Sequence, residues 1–214
     1  MDKKYKVIIV DDHDMFRAGV IVLLGKSPKV EIIGQASNGE EFLKLLSSLA
    51  PDVVLMDISM PVLNGIEATH QAIKLNPNIK ILALSMFGEE EYYYKMVEAG
   101  VKGFVLKSSG IHELEHAIEE VAMGSSFFSG ELLRQVVSNI KDHKSDGSEL
   151  GLSAEDRKIL SFFAKNLSVE EIASELGVGA PKVEELRLQL LQKTGCNNTA
   201  ALAMFAIKNK IVSL

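Results

Sequence analysis

The chain has 214 residues, 47% hydrophobic and 24% charged, with a formal net charge of −6. That apolar content excludes a disordered chain, and 16 Gly with 5 Pro exclude a collagen-like one. No apolar run approaches the roughly 18 residues of a membrane span, the run 7–10 is too short for a signal-peptide core, and the single Cys196 leaves no intramolecular disulfide, so a cytoplasmic location is expected. The acidic balance does not favour nucleic-acid binding by the chain as a whole, which leaves any such binding to a local basic face.

Residues 6–10 read as a buried strand that ends in Asp11-Asp12. Residues 14–24 have helical spacing through Phe16, Val20, Leu23 and Leu24. A second strand over 30–36 and a helix over 39–49 follow, then a strand over 52–57 and a break at Met60-Pro61. The next helix covers 66–75, the fourth strand 80–84, a helix 89–98, the fifth strand 103–106 and a fifth helix 112–122. Continuous apolar runs, rather than alternating ones, suit strands buried on both faces, and regular alternation with helices implies right-handed βαβ units. The expected fold is therefore α/β: a doubly wound, five-stranded parallel sheet.

The composition changes after Gly124. Residues 131–141 could form a connecting helix, and 142–151 read as a polar linker. Only helices are expected beyond it. Ser153 is a candidate N-cap for the first, and Ser168 with Glu171 forms a capping-box pattern for the second, which stops at Gly177. Pro181 suits the first turn of a third helix running to Lys193, and 199–209 forms a fourth. The domains read as 1–125, a linker over 126–150, and an all-α domain over 151–214.

Ligands of a doubly wound sheet bind outside the carboxyl ends of its strands. Asp11, Asp12 and Asp57 lie at such ends, and three adjoining carboxylates repel unless a cation sits among them. An all-oxygen donor set suits Mg²⁺. Ser85 ends the fourth strand and Lys107 follows the fifth, supplying a hydroxyl and an ammonium for a phosphoryl group. The set is one for receiving a phosphoryl group on a carboxylate.

Residues 10–13 (Val-Asp-Asp-His), 56–61 (Met-Asp-Ile-Ser-Met-Pro) with Gly65, 83–85 (Ala-Leu-Ser) and 103–107 (Gly-Phe-Val-Leu-Lys) resemble the receiver domain, a flavodoxin-like fold, of two-component response regulators. That resemblance implies Asp57 as phosphoacceptor, and Asp12, Asp57 and the Ser59 backbone carbonyl as Mg²⁺ ligands, with Asp11 acting through water. It further implies Ser85 and Lys107 as phosphoryl contacts, Phe104 as an aromatic switch, and a sensor histidine kinase as phosphodonor. Ser108 departs from the proline that many receivers carry there. A dehalogenase-like phosphatase would need a second Asp two residues after Asp57, where Ser59 stands.

His112-Glu113-Leu114-Glu115-His116 matches the two-histidine zinc-protease pattern. Ile111, Leu114, Ile118 and Val121 take the buried side of that helix, so its histidines read as surface, and no enzyme activity is expected. His13, His70 and His143 show no ligand spacing. Tyr92, Tyr93 and Tyr94 spread around their helix as core plus surface.

The helical part, from Leu167-Ser168-Val169-Glu170-Glu171 through Gly177-Val178 to Lys193 and Gly195, resembles the helix-turn-helix of NarL/LuxR (FixJ) type regulators. The resemblance implies DNA as a partner, transcriptional output and homodimerisation on phosphorylation. Where that family has Thr-Val-Lys-x-His, this chain has Lys182-Val183-Glu184-Glu185-Leu186, and the resemblance implies Lys182, Glu184, Glu185 and Leu188 as DNA-facing positions. Packing through Val183, Leu186, Leu190 and Leu191 would leave Glu184, Glu185 and Leu188 exposed. Residues 149–214 hold eight basic and eight acidic side chains, so the usual positive footprint is missing. The alternative is a phospho-controlled protein-interaction module that binds DNA weakly or not at all.

Overall fold

In the computed structural model, which describes residues 4–86, 90–128, 151–165, 167–196, 198–209 and 211–212, the apolar runs form strands in the expected places. The chain divides into two units, Met1–Ser129 and Gly130–Leu214.

The first unit alternates β1 (Tyr5–Val10), α1 (Asp14–Leu24), β2 (Val30–Ala36), α2 (Gly39–Leu46), β3 (Val53–Asp57), α3 (Gly65–Leu75), β4 (Ile81–Ser85), α4 (Glu90–Ala99), β5 (Gly103–Leu106) and α5 (Ile111–Met123). The strands pair in parallel in the order β2-β1-β3-β4-β5-β6. β3 and β4 are buried along their whole length, as a sheet covered on both faces requires. Val7, Ile9, Leu55, Leu82, Leu84 and Val105 pack against Leu114, Ala117, Ile118 and Val121 of α5. From β1 the chain moves outward to β2 and then returns to β3 on the other side, which opens the crevice at the carboxyl ends of β1 and β3.

The sheet has one more strand than the sequence pattern gives. β6 (Phe127–Phe128) lies in the stretch read as linker and pairs with β5 at the sheet edge. Two residues carry no legible periodicity. The pairing depends on a small residue opposite: a Cβ on Gly103 would stand 1.9 Å from the Phe127 carbonyl oxygen. The expected connecting helix over 131–141 lies outside the described residues.

The second unit is built of helices: α6 (Ala154–Ala164), α7 (Val169–Leu176), α8 (Ala180–Thr194) and α9 (Thr199–Lys208). Ser153 with Asp156 and Ser168 with Glu171 form reciprocal capping boxes. Gly177, at φ 66°, ends α7 in the left-handed conformation, and Pro181 stands in the first turn of α8. Ile159, Leu160, Phe163, Ile172, Val183, Leu190 and Leu202 are buried. Leu186 and Leu191 are half-buried rather than full core positions. Lys193 reaches across to the Asp156 carboxylate at 2.8 Å. Burial pushes that carboxyl up, but the hydrogen bonds from Lys193 and the Ser153 amide outweigh it and hold the Asp156 pKa below its ordinary value. No helix among the described residues is long and apolar enough to cross a membrane.

Gly103→Ala should release β6 and leave the other five strands paired. Hydrogen exchange is the measurement: protection at the Phe127 amide, which donates to the Lys102 carbonyl, is expected to fall while protection in β1, β3 and β4 holds.

Candidate functional site

Register sets the site. Val10 pairs with Met56, so the residues that follow them, Asp11 and Asp57, emerge side by side. Asp11 is fully buried and Asp57 nearly so. Asp12 is half-buried at the rim. β5 ends one residue before Lys107, whose amide donates to the Ser85 carbonyl at 2.8 Å and so anchors the strand end beside β4.

The Lys107 ammonium bridges two carboxylates, 2.8 Å from Asp11 Oδ2 and 2.9 Å from Asp57 Oδ1. It also lies 5.1 Å from the centre of the Phe16 ring, on the electron-rich face that favours a cation. Burial alone would lower the lysine pKa; hydrogen bonds and charge from Asp11 and Asp57 overcome it, and the net shift is upward. Lys107 is therefore held charged, and its contribution to stability is fully present below the ordinary lysine value and lost as pH rises through the raised one. Asp57 Oδ1 also accepts from the Ile58 amide at 2.8 Å.

The loop after β3 places the helix beneath Asp57. The Leu63 amide donates to the Pro61 carbonyl at 2.8 Å and closes a three-residue turn around Val62, whose φ is 69°. Such a φ is costly for a β-branched residue, and Val62 bears it at an exposed position. The turn brings Gly65 so close that a Cβ there would meet the Asp57 carbonyl oxygen at 1.9 Å. Asn64 caps α3 by accepting from the Glu67 amide at 2.9 Å. Ser59 stands exposed on the same loop.

Ser85 is fully buried at the end of β4. Its Oγ lies 3.0 Å from the Met86 carbonyl oxygen and 3.1 Å from the Tyr93 hydroxyl of α4. Phe104 of β5 is fully buried; its ring meets Tyr93 edge-on at 5.3 Å and stacks on Phe128 at 5.9 Å.

Sequence reasoning left out three residues here. Tyr93 and Phe128 pack on Phe104, and nothing in their local spacing separates them from ordinary core aromatics. His13 is a correction: it joins Asp11, Asp12 and Asp57 in a cluster whose possible ligand atoms all lie within 4.8 Å. Its Nδ1 is 3.0 Å from Asp12 and 3.5 Å from Asp11. Spacing between histidines missed it because its neighbours are carboxylates, and its own amide, donating to Asp11 Oδ1 at 2.8 Å, turns it back over them. His112 and His116 stand exposed on α5, paired with Glu115 and Glu120, and join no metal-binding group among the described residues.

The family model of the response regulator receiver domain matches residues 7–119, more than half of the chain. The chain is a response regulator. Response regulator GacA of Pseudomonas aeruginosa is 30% identical to it over 208 residues, covering 97% of each chain. Transcriptional regulatory protein LiaR of Bacillus subtilis is 30% identical over 210 residues, covering 97% of this chain and 99% of LiaR. Among solved structures, RcsB of Salmonella enterica serovar Typhimurium, bound to promoter P1flhDC in the presence of the phosphomimetic BeF3−, shares the fold with a TM-score of 0.58 at 23% identity, covering 96% of this chain and 99% of RcsB. This response regulator thus carries a receiver unit followed by a helical unit, with the acidic cluster at the carboxyl ends of its strands.

Replacing Lys107 with Met removes the bridge and leaves two buried carboxylates without their counter-charge. A loss of about 3 kcal/mol is expected, the scale of breaking a buried pair by deleting one partner. Urea unfolding against pH checks it. The difference between wild type and variant should persist from neutral pH to the ordinary lysine value of ~10.4 and fade above it. A difference already gone at mildly alkaline pH would contradict a lysine held charged by its neighbours.

Proposed function

We propose that this response regulator accepts a phosphoryl group on Asp57 and converts it into a change of output by its helical unit. The observation that carries this reading is the Lys107 bridge between Asp11 and Asp57. It presents a carboxylate nucleophile beside a fixed cation that can pass from carboxylate to phosphoryl oxygen. The other Asp57 oxygen forms the new P–O bond as the P–N bond to a phosphorylated histidine of a sensor kinase breaks. Lys107 and Ser85 then contact the phosphoryl oxygens.

Three carboxylates facing one ammonium keep a net negative charge, which fits a divalent cation with oxygen ligands. Asp11, Asp12, Asp57 and the Ser59 carbonyl are the residues that would hold Mg²⁺. When bound, it supplies charge neutralisation between carboxylates and phosphoryl oxygens. In this reading the chain is regulatory rather than enzymatic. A cytoplasmic location, and a homodimer on phosphorylation, complete the reading.

For the output we propose DNA binding in transcriptional control. LiaR is named a transcriptional regulatory protein, and α7 (Val169–Leu176), a Gly-containing turn and α8 (Ala180–Thr194) supply two successive helices suited to that task. The receiver domain covers 1–125, a linker 126–150 and the DNA-binding domain 151–214 in this proposal. Lys182, Glu184, Glu185 and Leu188 are the groove-facing positions. One observation favours the second reading, a protein-interaction module: the cations of α8 are already engaged. Lys182 pairs with Glu185 at 2.9 Å, and Arg187 pairs with Glu184 at 2.7 Å. Leu188 is 53% exposed and offers at most an apolar contact.

Incubation with Mg²⁺ and a small-molecule phosphodonor should add one phosphoryl mass to the wild type and none to Asp57→Asn. Equal labelling of the two proteins would remove Asp57 from its role.

For the output, DNA affinity of the phosphorylated protein should show a shallow salt dependence. Each neutralised phosphate contributes about 0.9 to the log–log slope. Glu184→Gln with Glu185→Gln frees Lys182 and Arg187 without adding a positive residue, so the slope should steepen by about 2. Absence of any DNA affinity in both proteins would favour the interaction module. Tight, steeply salt-dependent binding that the double variant loses would make the glutamates part of a specific readout.

A further inference from the structure

Proton bookkeeping at Ser85 points beyond the phosphoryl site. The side chain is buried at the end of β4 and has one hydroxyl proton for two close oxygens, the Met86 carbonyl at 3.0 Å and the Tyr93 hydroxyl at 3.1 Å. The carbonyl can only accept. With the Ser85 proton directed there, the Tyr93 phenol is the donor to Ser85 Oγ; with it directed to Tyr93, the phenol is the acceptor. In both arrangements the hydroxyl that a phosphoryl oxygen needs as a donor is already bonded within the protein.

Tyr93 is well placed to hold it. Its side chain is fully buried, its ring meets Phe104 edge-on at 5.3 Å, and Phe104 in turn stacks on Phe128 of β6 at 5.9 Å. Packing on this scale fixes the phenol rather than letting it follow the serine. Phe104, the aromatic of β5, has no hydroxyl. The oxygen that engages Ser85 therefore comes from α4 (Glu90–Ala99), a different element from the one that carries the switch aromatic.

We propose that the Ser85 hydroxyl donates to Tyr93 in the unphosphorylated state, which makes Tyr93 a positioning residue that competes with the phosphoryl group for that proton. The unphosphorylated state keeps Ser85 bonded toward α4; binding of a phosphoryl group on Asp57 exchanges that bond for one to the phosphoryl oxygen. The exchange breaks the side-chain bond that ties the end of β4 to α4. Phosphorylation is thereby coupled to the position of α4, and through the edge-on ring to Phe104 and Phe128. Reciprocity follows: whatever stabilises α4 in its present place weakens the hold of the site on its phosphoryl group by the same factor. The inference rests on the phosphoacceptor reading above.

The test uses the full chain with Mg²⁺ and the phosphomimetic BeF3−, with bound fluorine read by ¹⁹F NMR across a titration. Four proteins are compared: wild type, Tyr93→Phe, Ser85→Ala and the double variant. Tyr93→Phe removes one oxygen and keeps the ring, so the packing against Phe104 survives, and thermal unfolding of the unliganded protein monitors it. Tyr93→Phe is expected to bind BeF3− about threefold to tenfold more tightly, the equilibrium worth of one net hydrogen bond. In the Ser85→Ala background the same change should have no effect. A merely structural role for Tyr93 would move unfolding and binding alike, with or without the serine hydroxyl. Unchanged or weaker binding by Tyr93→Phe, or an equal gain in both backgrounds, would overturn the proposal while leaving Asp57 as phosphoacceptor. Failure of the wild type itself to bind BeF3− would remove the phosphoacceptor reading and this inference with it.

Discussion

A buried lysine between two buried aspartates is the constraint around which the receiver unit is arranged. Lys107 sits 2.8 Å from Asp11 and 2.9 Å from Asp57, and each group comes from the end of a different strand. Charges removed from water cost more than their attraction returns unless geometry is tight and every lone pair has a use. That demand explains features that would otherwise look incidental. Gly65 lets α3 approach the Asp57 backbone, the turn at Val62 tolerates an unfavourable φ to bring it there, and the Lys107 amide is tied to β4. The bridge does not balance the site. A carboxylate excess remains, with Asp11, Asp12 and Asp57 gathered around one ammonium.

Around this polar centre the coupling is apolar. Ser85 is bonded to Tyr93, and beyond the phenol the contacts are rings: Tyr93 to Phe104, Phe104 to Phe128. Close-packed aromatics have few alternative placements, so a change at one end is met by a repacking rather than by a gradual yielding. The small-residue requirement at Gly103 belongs to the same device, since it admits β6 to the sheet edge and so brings Phe128 onto Phe104.

How much of this was legible in the sequence follows from the range of each interaction. The strands buried on both faces are continuous apolar runs, and Asp11, Asp57, Ser85 and Lys107 each sit next to such a run, so strand ends and site residues could be read together. The structure brings Asp11, Asp12, Asp57 and Lys107 together at the strand ends. β6 could not be read, because two residues have no period and the pairing is decided by a glycine more than twenty positions earlier. Tyr93 was hidden among three consecutive tyrosines: only the helix's placement against β4 decides which phenol reaches Ser85. His13 escaped because a ligand pattern was sought among histidines, whereas the local backbone bond to Asp11 folds it over carboxylates.

In the helical unit, charge tells less when counted than when paired. Eight basic against eight acidic side chains suggest a surface indifferent to DNA. The pairing refines this. Lys182 and Arg187 of α8 are held by Glu185 and Glu184 one helical turn away, and all four belong to solvent-facing or half-buried positions. Pairs of this kind on a helix surface are worth only about 0.2–0.5 kcal/mol. A polyanion carrying one charge per ~1.7 Å of axis offers more than that to each cation it draws away. The glutamates therefore do not bar DNA from α8; they lower the return on each contact, since every cation gained leaves a carboxylate facing the same backbone.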